Sequence, residues 1–289
     1  MKRTDQAATL RVIGGGLAEV KRRRVIAITG GKGGVGKSTL AVSLAGTYAS
    51  LGAKVLMVDA DLGMADLNLL LGVAPKRTML DVINGHDPAE AVVENHGISL
   101  LPSLAGSTEL ESLGADKRER LLAAIKDLGE AYDTVVIDIG AGIGASQNSF
   151  AAAALDIVVV VSPEALSIAD AYACLKGLSQ SQKIRRAYLV PNRIRSASQA
   201  DEIVGRLGSL VSRFLDVTLV PLSPIPFDVS VAVAGDHGVP FVHHNPDGPA
   251  SRAIRRLARQ LDVHAHESGD SNRSGGLWNH LVSTGGQAQ

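Results

Sequence analysis

The chain has 289 residues and carries 29 basic and 29 acidic side chains, so its formal net charge is zero. This length fits one large α/β domain or two small ones, and the neutral charge gives no global reason to expect nucleic acid or an anionic membrane as partner. The single cysteine, Cys174, excludes a disulfide framework and any CxxC metal site. Because neither a transmembrane run nor a signal-peptide apolar region is visible, we expect a soluble cytoplasmic protein.

Residues 1–24 precede the first predicted strand and are interpreted as a flexible appendage. Asp5 is suited to cap a short helix over residues 6–12, and the glycine run 14–16 would end it. A helix of about two turns is marginal alone in water, so the segment is either a disordered tail or one that folds on a partner. The basic run 21–24 is expected to be a solvated flank of the sheet, with contact to an anionic neighbour as the alternative.

From residue 25 onward, short β-branched runs alternate with helical stretches, without an internal repeat. Strands are predicted at residues 25–29, 54–58, 98–101, 134–138, 157–161, 187–191 and 217–220. Helices are predicted at residues 38–51, 117–131, 146–154, 167–179, 197–213 and 250–262. Strands that are apolar throughout suit a parallel sheet covered on both faces. The sequence therefore predicts a three-layer α/β domain over residues 25–263, with a mostly parallel twisted sheet between helices.

The glycine-rich stretch after the first strand matches the pattern G-x-x-x-x-G-K-S/T. Strand, turn and helix in that order predict a phosphate-binding loop, with Lys37 at the β- and γ-phosphates of ATP and the Ser38 hydroxyl on Mg²⁺. The alternative is a glycine turn with a chance lysine. The predicted nucleotide contacts in this loop are Gly31, Lys32, Gly33, Gly34, Val35, Gly36, Lys37, Ser38 and Thr39.

Carboxylates follow two of the predicted strands. Asp59 and Asp61 come at the end of the second strand, where one could help to hold Mg²⁺ and the other could orient a water for attack on the γ-phosphate. A solvated strand-to-helix turn is the alternative. Asp138 ends the apolar run 134–137, so a rigid strand would deliver it to the metal. The glycines behind it suit a loop that moves with the γ-phosphate.

Two later stretches suit a base pocket. The amide of Asn192, after the strand at 187–191, can pair with the edge of an adenine. The stretch 224–228 contains Pro226 and Asp228 and supplies rigid apolar surface for the ring. Either stretch could instead be ordinary loop.

The last long helix has an apolar stripe and four arginines outside it, Arg252, Arg255, Arg256 and Arg259. We expect a helix packed on the sheet, with the arginines solvated or in contact with an acidic partner or DNA. Residues 264–289 are polar and rich in glycine and serine, which predicts a flexible tail. The tail places Leu277, Trp278, Leu281 and Val282 on one face but has no Lys or Arg after Arg273, so any bilayer contact would be weak.

With Lys32 after its first glycine, the loop reads K-G-G-x-G-K-S/T-S/T and resembles the deviant Walker A motif of the MinD/ParA family of ATPases. The resemblance implies a P-loop NTPase fold and an ATP-dependent homodimer in which Lys32 reaches the partner's nucleotide. It also implies that Asp61 is the catalytic aspartate with Asp59 beside it, and that Asn192 and the 224–228 stretch line the adenine. One cysteine argues against the cysteine-dependent relatives of this fold, the nitrogenase iron protein and the iron–sulfur carrier ATPases.

Residues 59–72, 138–143, 163–164 and 170–172 resemble the FlhG/FleN branch of the family, which controls flagellar number. The N-terminal D-Q-A-x-x-L-R pattern at 5–11 resembles the activator helix of that branch. The resemblance implies stimulation of an FlhF-type GTPase through Asp5, Gln6, Leu10 and Arg11, and contact with a flagellar transcription regulator or switch component. Two other functions stay open, a ParA-type partition ATPase acting on non-specific DNA and a nucleotide-gated regulatory scaffold.

Overall fold

The computed structural model describes residues 24–142 and 144–267. The predicted N-terminal helix and the apolar end of the predicted tail lie outside these residues. The described strands are β1 (Arg24–Thr29), β2 (Val55–Ala60), β3 (Val93–Asn95), β4 (Ile98–Leu101), β5 (Thr134–Ile139), β6 (Asp156–Val161), β7 (Arg186–Pro191) and β8 (Thr218–Pro221). The seven predicted strands are therefore present, and their ends agree with the prediction to within two residues.

The eight strands form one sheet in the order β3-β4-β2-β5-β1-β6-β7-β8. All neighbours are parallel except β3 and β4, which are antiparallel. The predicted mostly parallel sheet is confirmed. Because the central strands run in one direction, the carboxyl ends of β1, β2 and β5 meet at one edge of the sheet.

Helices cover both faces of this sheet. The longer ones are α1 (Lys37–Ser50), α6 (Ala115–Gly129), α7 (Ala145–Ala152), α8 (Ala165–Gln182), α9 (Ala197–Phe214), α10 (Val229–Asp236) and α12 (Pro249–Glu267). The short ones are α2 (Leu67–Leu70), α3 (Met79–Ile83), α4 (Pro88–Ala91), α5 (Thr108–Glu111) and α11 (Phe241–His244). In the described residues, no helix is long and apolar enough to cross a membrane.

Two apolar cores lie on opposite faces of the sheet. Val25 and Ala27 of β1 belong to the core under α6, α7, α8 and α9, whereas Ile26 and Ile28 belong to the core under α1 and α12. Successive side chains of a strand point to opposite faces, so a strand that serves two cores must be apolar at every position. This is why the central strands carry uninterrupted apolar runs rather than alternating patterns.

The prediction missed β3, the short helices, the eight-residue helix α10 and the full length of the last helix. Strand β3 has three residues at the sheet edge, too few for a recognisable pattern. Helix α12 continues to Glu267, five residues past the predicted end at 262 and beyond the predicted start of the tail at 264. The short helices have four or five residues each, and their local patterns resemble turns.

Arg24 is not a solvated flank. It opens β1 and is buried, and its guanidinium donates to Asp156 Oδ2 at 2.7 Å, to Asp262 Oδ1 at 2.6 Å and to the Leu261 carbonyl at 2.7 Å. These contacts join the amino ends of β1 and β6 to α12, at the edge of the sheet opposite the carboxyl ends of β1, β2 and β5. A buried cation needs partners of this kind. We call the contacts of Arg24 with Asp156, Leu261 and Asp262 the clasp, because they hold β1, β6 and α12 together.

Candidate functional site

The loop between β1 and α1 wraps the amino end of α1 at the carboxyl edge of the sheet. Lys37 is the first residue of α1 and is buried, and Gly36 caps the helix with a φ of 93°. Gly34 also has a positive φ, 77°, a backbone conformation that favours glycine. The free N–H groups and the dipole of α1 therefore point into the bend of the loop, which makes the bend an anion site.

Close backbone packing explains two of the glycines. A Cβ at Gly31 would overlap the backbone carbonyl of Asp170 in α8, and a Cβ at Gly36 would lie 2.5 Å from Nδ2 of Asn192. Neither position has room for a side chain without a shift of the backbone or of the Asn192 amide. The path of the loop thus depends on glycine at 31 and 36.

Asp59 and Asp138 face each other on adjacent strands at the same edge. They are paired in the register of β2 and β5, and both are almost fully buried. Oδ2 of Asp59 and both carboxylate oxygens of Asp138 have no hydrogen-bond partner within the described parts of the chain. Two buried carboxylates with unpartnered oxygens are costly alone, and a divalent cation is the group that offsets that cost. These residues fit Mg²⁺.

The electrostatics of the pair agree with that fit. Burial raises the pKa of Asp138 to about 7, against the opposing influence of the Ser38 hydroxyl and the Lys37 ammonium. Burial and then the neighbouring Asp138 charge raise the pKa of Asp59 well above its ordinary range. Desolvation and like charge both disfavour ionisation, so the pair binds a proton more readily than ordinary carboxylates unless a cation is present.

A cavity of about 490 Å³ lies over the loop, next to this pair. Asp61 lines it, accepts from Met64 N at 3.2 Å, and packs so closely on Gly140 that a Cβ there would lie 2.7 Å from its Oδ1. The predicted residues on its wall are Gly33, Gly34, Lys37, Ser38 and Asp61. The structure therefore brings Asp61 to the phosphate loop, beside the chain segment that follows β5.

From the sequence, no role of their own was assigned to three side chains in this part of the structure: Asp66, Gln147 and Glu164. Asp66 and Gln147 line the cavity itself. Burial raises the pKa of Asp66, while Ser38 and Lys37 oppose the rise, so Asp66 is a further carboxylate near the start of α1, after Asp59, Asp61 and Asp138. Asp66 could have been suspected from the sequence, because it is a further acidic residue in the segment after β2 that contains Asp61. Nothing in the sequence around Gln147 points to the site.

Glu164 lies at the carboxyl end of β6. It accepts a hydrogen bond from Ser162, which lowers its pKa, and the charges of Lys32 and Arg193 lower it further. Lys32 is half-buried at the start of the loop, and within one protomer its charge acts on the Glu164 carboxylate.

A second cavity of about 440 Å³ lies on the other side of the loop. Asn192, Pro226, Phe227 and Leu70 line it, and Gly34 lines both cavities, so the two lie on either side of the loop. Asn192 donates from Nδ2 to the Val35 carbonyl at 2.8 Å, which leaves its Oδ1 as an acceptor. The space and chemistry suit a base on one side of the loop and its phosphates on the other.

The remaining predicted residues of this region lie at the second cavity or close to it. Thr39 and Asp228 are on its wall, and Val35 is buried beneath the loop. The Asp228 carboxylate accepts from Ser230 N at 3.0 Å, from Ser230 Oγ at 2.7 Å and from Ala250 N at 3.3 Å. Burial raises the pKa of Asp228, but these bonds outweigh it and hold the pKa below its usual value. Its oxygens thus anchor α10 and α12.

Backbone amides at a helix terminus, a lysine behind them and carboxylates at the ends of adjacent parallel strands are how P-loop NTPases hold a nucleotide and its metal. Comparison with known proteins agrees with this class. Residues 21–262 match the ParA family model, described as the NUBPL iron-transfer P-loop NTPase. The chain belongs to the ParA family of P-loop NTPases, as its resemblance to MinD and ParA predicted. The description of that family model names iron transfer; the one cysteine of this chain, Cys174, is buried.

Three similar proteins refine the family assignment. The antiactivator FleN of Pseudomonas aeruginosa is 37% identical over 241 residues, which are 83% of this chain and 86% of FleN. The flagellum site-determining protein YlxH of Helicobacter pylori is 32% identical over 64% of this chain and 63% of its own. The structure of the septum site-determining protein MinD with Mg-ADP from Pyrococcus horikoshii superposes with a TM-score of 0.70 and 26% identity, covering 84% of this chain and 97% of that one.

Proposed function

We propose that this chain is an ATP hydrolase that uses Mg²⁺ and alternates between a monomer and an ATP-bound dimer. The observation that carries the proposal is the buried pair Asp59 and Asp138, which face each other next to Lys37 with oxygens that lack partners among the described residues. The MinD structure with Mg-ADP is consistent with ATP and Mg²⁺ as the cofactors. In this proposal ATP hydrolysis is slow, and it serves to regulate rather than to supply metabolism.

Each residue would act through its position. The loop amides and Lys37 would hold the β- and γ-phosphates, and Ser38, Asp138 and Asp61 or Asp59 would hold Mg²⁺, which supplies charge neutralisation when bound. Asp61 would orient the attacking water. The Asn192 carbonyl would accept from the amino group of adenine, which guanine lacks at that edge.

The proposed dimer would form over the mouth of the phosphate cavity. Lys32 is half-buried in the loop beside this cavity, and Met64 is a large, exposed apolar side chain on the cavity wall. Met64 would supply apolar contact to such an interface.

The dimer is tested by light scattering with and without ATP. Lys32→Ala should keep nucleotide binding by the monomer and lose the ATP-dependent rise in mass, whereas the exposed Lys176→Ala should behave like wild type. Asp61→Ala should bind ATP, stop hydrolysis and accumulate as the dimer, because the phosphate cradle remains. A Lys32→Ala protein that dimerises normally would refute this role for Lys32.

The biological role is proposed to be control of flagellar number or placement, by likeness to FleN and YlxH. The N-terminal pattern with Asp5, Gln6, Leu10 and Arg11 would stimulate an FlhF-type GTPase, and a flagellar transcription regulator or switch component would bind the ATPase domain. Cytoplasmic location, with at most weak peripheral membrane contact through the tail, fits this role. No sequence-specific nucleic acid is part of it.

A peptide of residues 1–20 should stimulate such a GTPase, while the chain lacking these residues should not. Gln6→Ala should reduce stimulation more than binding, since Gln6 would order the attacking water or the loop around it. Leu10→Ala should reduce both, because it removes apolar contact. An unchanged GTPase rate at saturating peptide would eliminate the activator role and leave the ATPase proposal intact.

A ParA-type function on non-specific DNA is the second candidate. Arg252, Arg256 and Arg259 are exposed on α12 and Arg255 is half-buried, a basic face on a neutral chain. Binding of duplex DNA in the ATP state with a steep loss on raising salt would support this function. Binding that is weak and independent of ATP would remove it.

A further inference from the structure

Five polar side chains line the phosphate cavity. Four of them, Lys37, Ser38, Asp61 and Asp66, belong to the start of α1 and to the segment after β2. The fifth, Gln147, comes from α7, beyond the chain segment that follows β5. It lies outside every motif recognised in the sequence, so a polar group without an assigned role is part of the wall.

The position of Gln147 is set by local geometry. Gln147 is the third residue of α7, and its Oε1 lies so close to Gly144, the N-cap of that helix, that a Cβ there would overlap it. At the other end of the same connection, Asp61 packs on Gly140 in the same way. The connection between β5 and α7 is therefore flanked by a carboxylate at one end and by an amide at the other, and both border one cavity.

The chemistry of an amide suits this place. A neutral amide can donate from Nε2 and accept at Oε1 at once, whereas a carboxylate only accepts. Asp61 and Asp66 already line this cavity, and it is expected to receive a triphosphate. Another anionic side chain there would be repelled by these negative charges. Gln147 can meet a phosphate oxygen and a water together without that repulsion.

We propose that Gln147 contacts the terminal phosphate and the attacking water of the ATP site. Its Nε2 donates to a γ-phosphate oxygen and its Oε1 accepts from the water that Asp61 also orients, so it acts with Asp61 in placing the nucleophile. The proposal rests on the ATPase function proposed above and adds a residue to that same site.

The test separates binding from turnover. Gln147→Ala should lower kcat by about 10- to 100-fold and leave the Kd of ADP within about twofold, because it removes a contact used in the transition state. Gln147→Glu should raise the Kd of a non-hydrolysable ATP analogue by about tenfold and leave that of ADP unchanged, since only ATP places a charge beside the new carboxylate. Gln180→Ala and Gln180→Glu, exposed on α8, are the matched controls.

Thermal unfolding of each variant checks that it is folded. The ratio of the Kd values of Gln147→Glu for the ATP analogue and for ADP does not depend on turnover. If Gln147→Glu weakens both nucleotides equally or neither of them, Gln147 does not contact the terminal phosphate. If the wild-type protein binds ATP and the Gln147→Ala variant hydrolyses it at the wild-type rate, this inference alone is refuted. Wild-type protein that fails to bind ATP refutes the proposed function as well.

Discussion

Replacing Asp138 by asparagine should stabilise the protein when nucleotide and metal are absent. A carboxyl with a pKa of about 7 in the folded chain and 3.8 in the unfolded chain costs the fold up to about 4 kcal/mol once it is ionised. The neutral amide would also lose the attraction to Lys37, which offsets part of this gain. We therefore expect a net stabilisation of at least about 1 kcal/mol, or roughly 2–4 °C in Tm for a domain of this size.

The sign of the pH dependence follows from the raised pKa. The unfolded carboxyl ionises near pH 4 and the folded one near pH 7, so wild-type stability falls as the pH rises through that window. The advantage of Asp138→Asn should be largest above pH 7 and shrink towards pH 4. Urea unfolding in EDTA at pH 5, 6, 7 and 8 measures it, with exposed Asp201→Asn as control. Lower stability of Asp138→Asn at pH 8 would refute the reasoning.

Two further substitutions test the loop and the clasp. Gly31→Ala should weaken nucleotide binding by at least about tenfold, because its Cβ would overlap the Asp170 backbone and displace the loop; unchanged affinity in a fluorescence titration would contradict this. Arg24→Ala should cost about 3–5 kcal/mol in urea unfolding, since it leaves the buried Asp156 unpaired. The exposed ion pair of Arg206 is the control, and Arg206→Ala should cost less than about 1 kcal/mol. A cost for Arg24→Ala no larger than that control would show that the clasp contributes little.

The fold was largely predictable because its central strands contribute side chains to two apolar cores, and this requires uninterrupted apolar runs that are visible in the sequence. The run 157–161 is apolar at each position and lies inside β6, and the helices between such runs have clear faces. Strand β3 escaped prediction because three residues at a sheet edge with partial exposure carry no period. The role of Arg24 escaped because its partners, Asp156 and Asp262, are more than 130 residues away in the sequence.

The candidate site was predictable where a motif fixes spacing along the chain. The loop 31–38 and the carboxylates Asp59 and Asp138 follow strands, and parallel strands bring their ends together. The pairing of those two aspartates was not predicted, because register depends on how the whole sheet packs. Gln147 lies outside every motif recognised in the sequence, and only the fold places it on the cavity wall.

The central claim is that Asp59, Asp138 and the loop around Lys37 form a site for ATP with Mg²⁺. Equilibrium dialysis of the full chain with ATP or GTP, at Mg²⁺ from zero to saturation, tests it most directly. The account predicts that Mg²⁺ strengthens ATP binding by at least about tenfold, that Asp138→Asn loses most of this gain, and that GTP binds at least about tenfold more weakly. Equal affinity with and without Mg²⁺, or for both nucleotides, would contradict it.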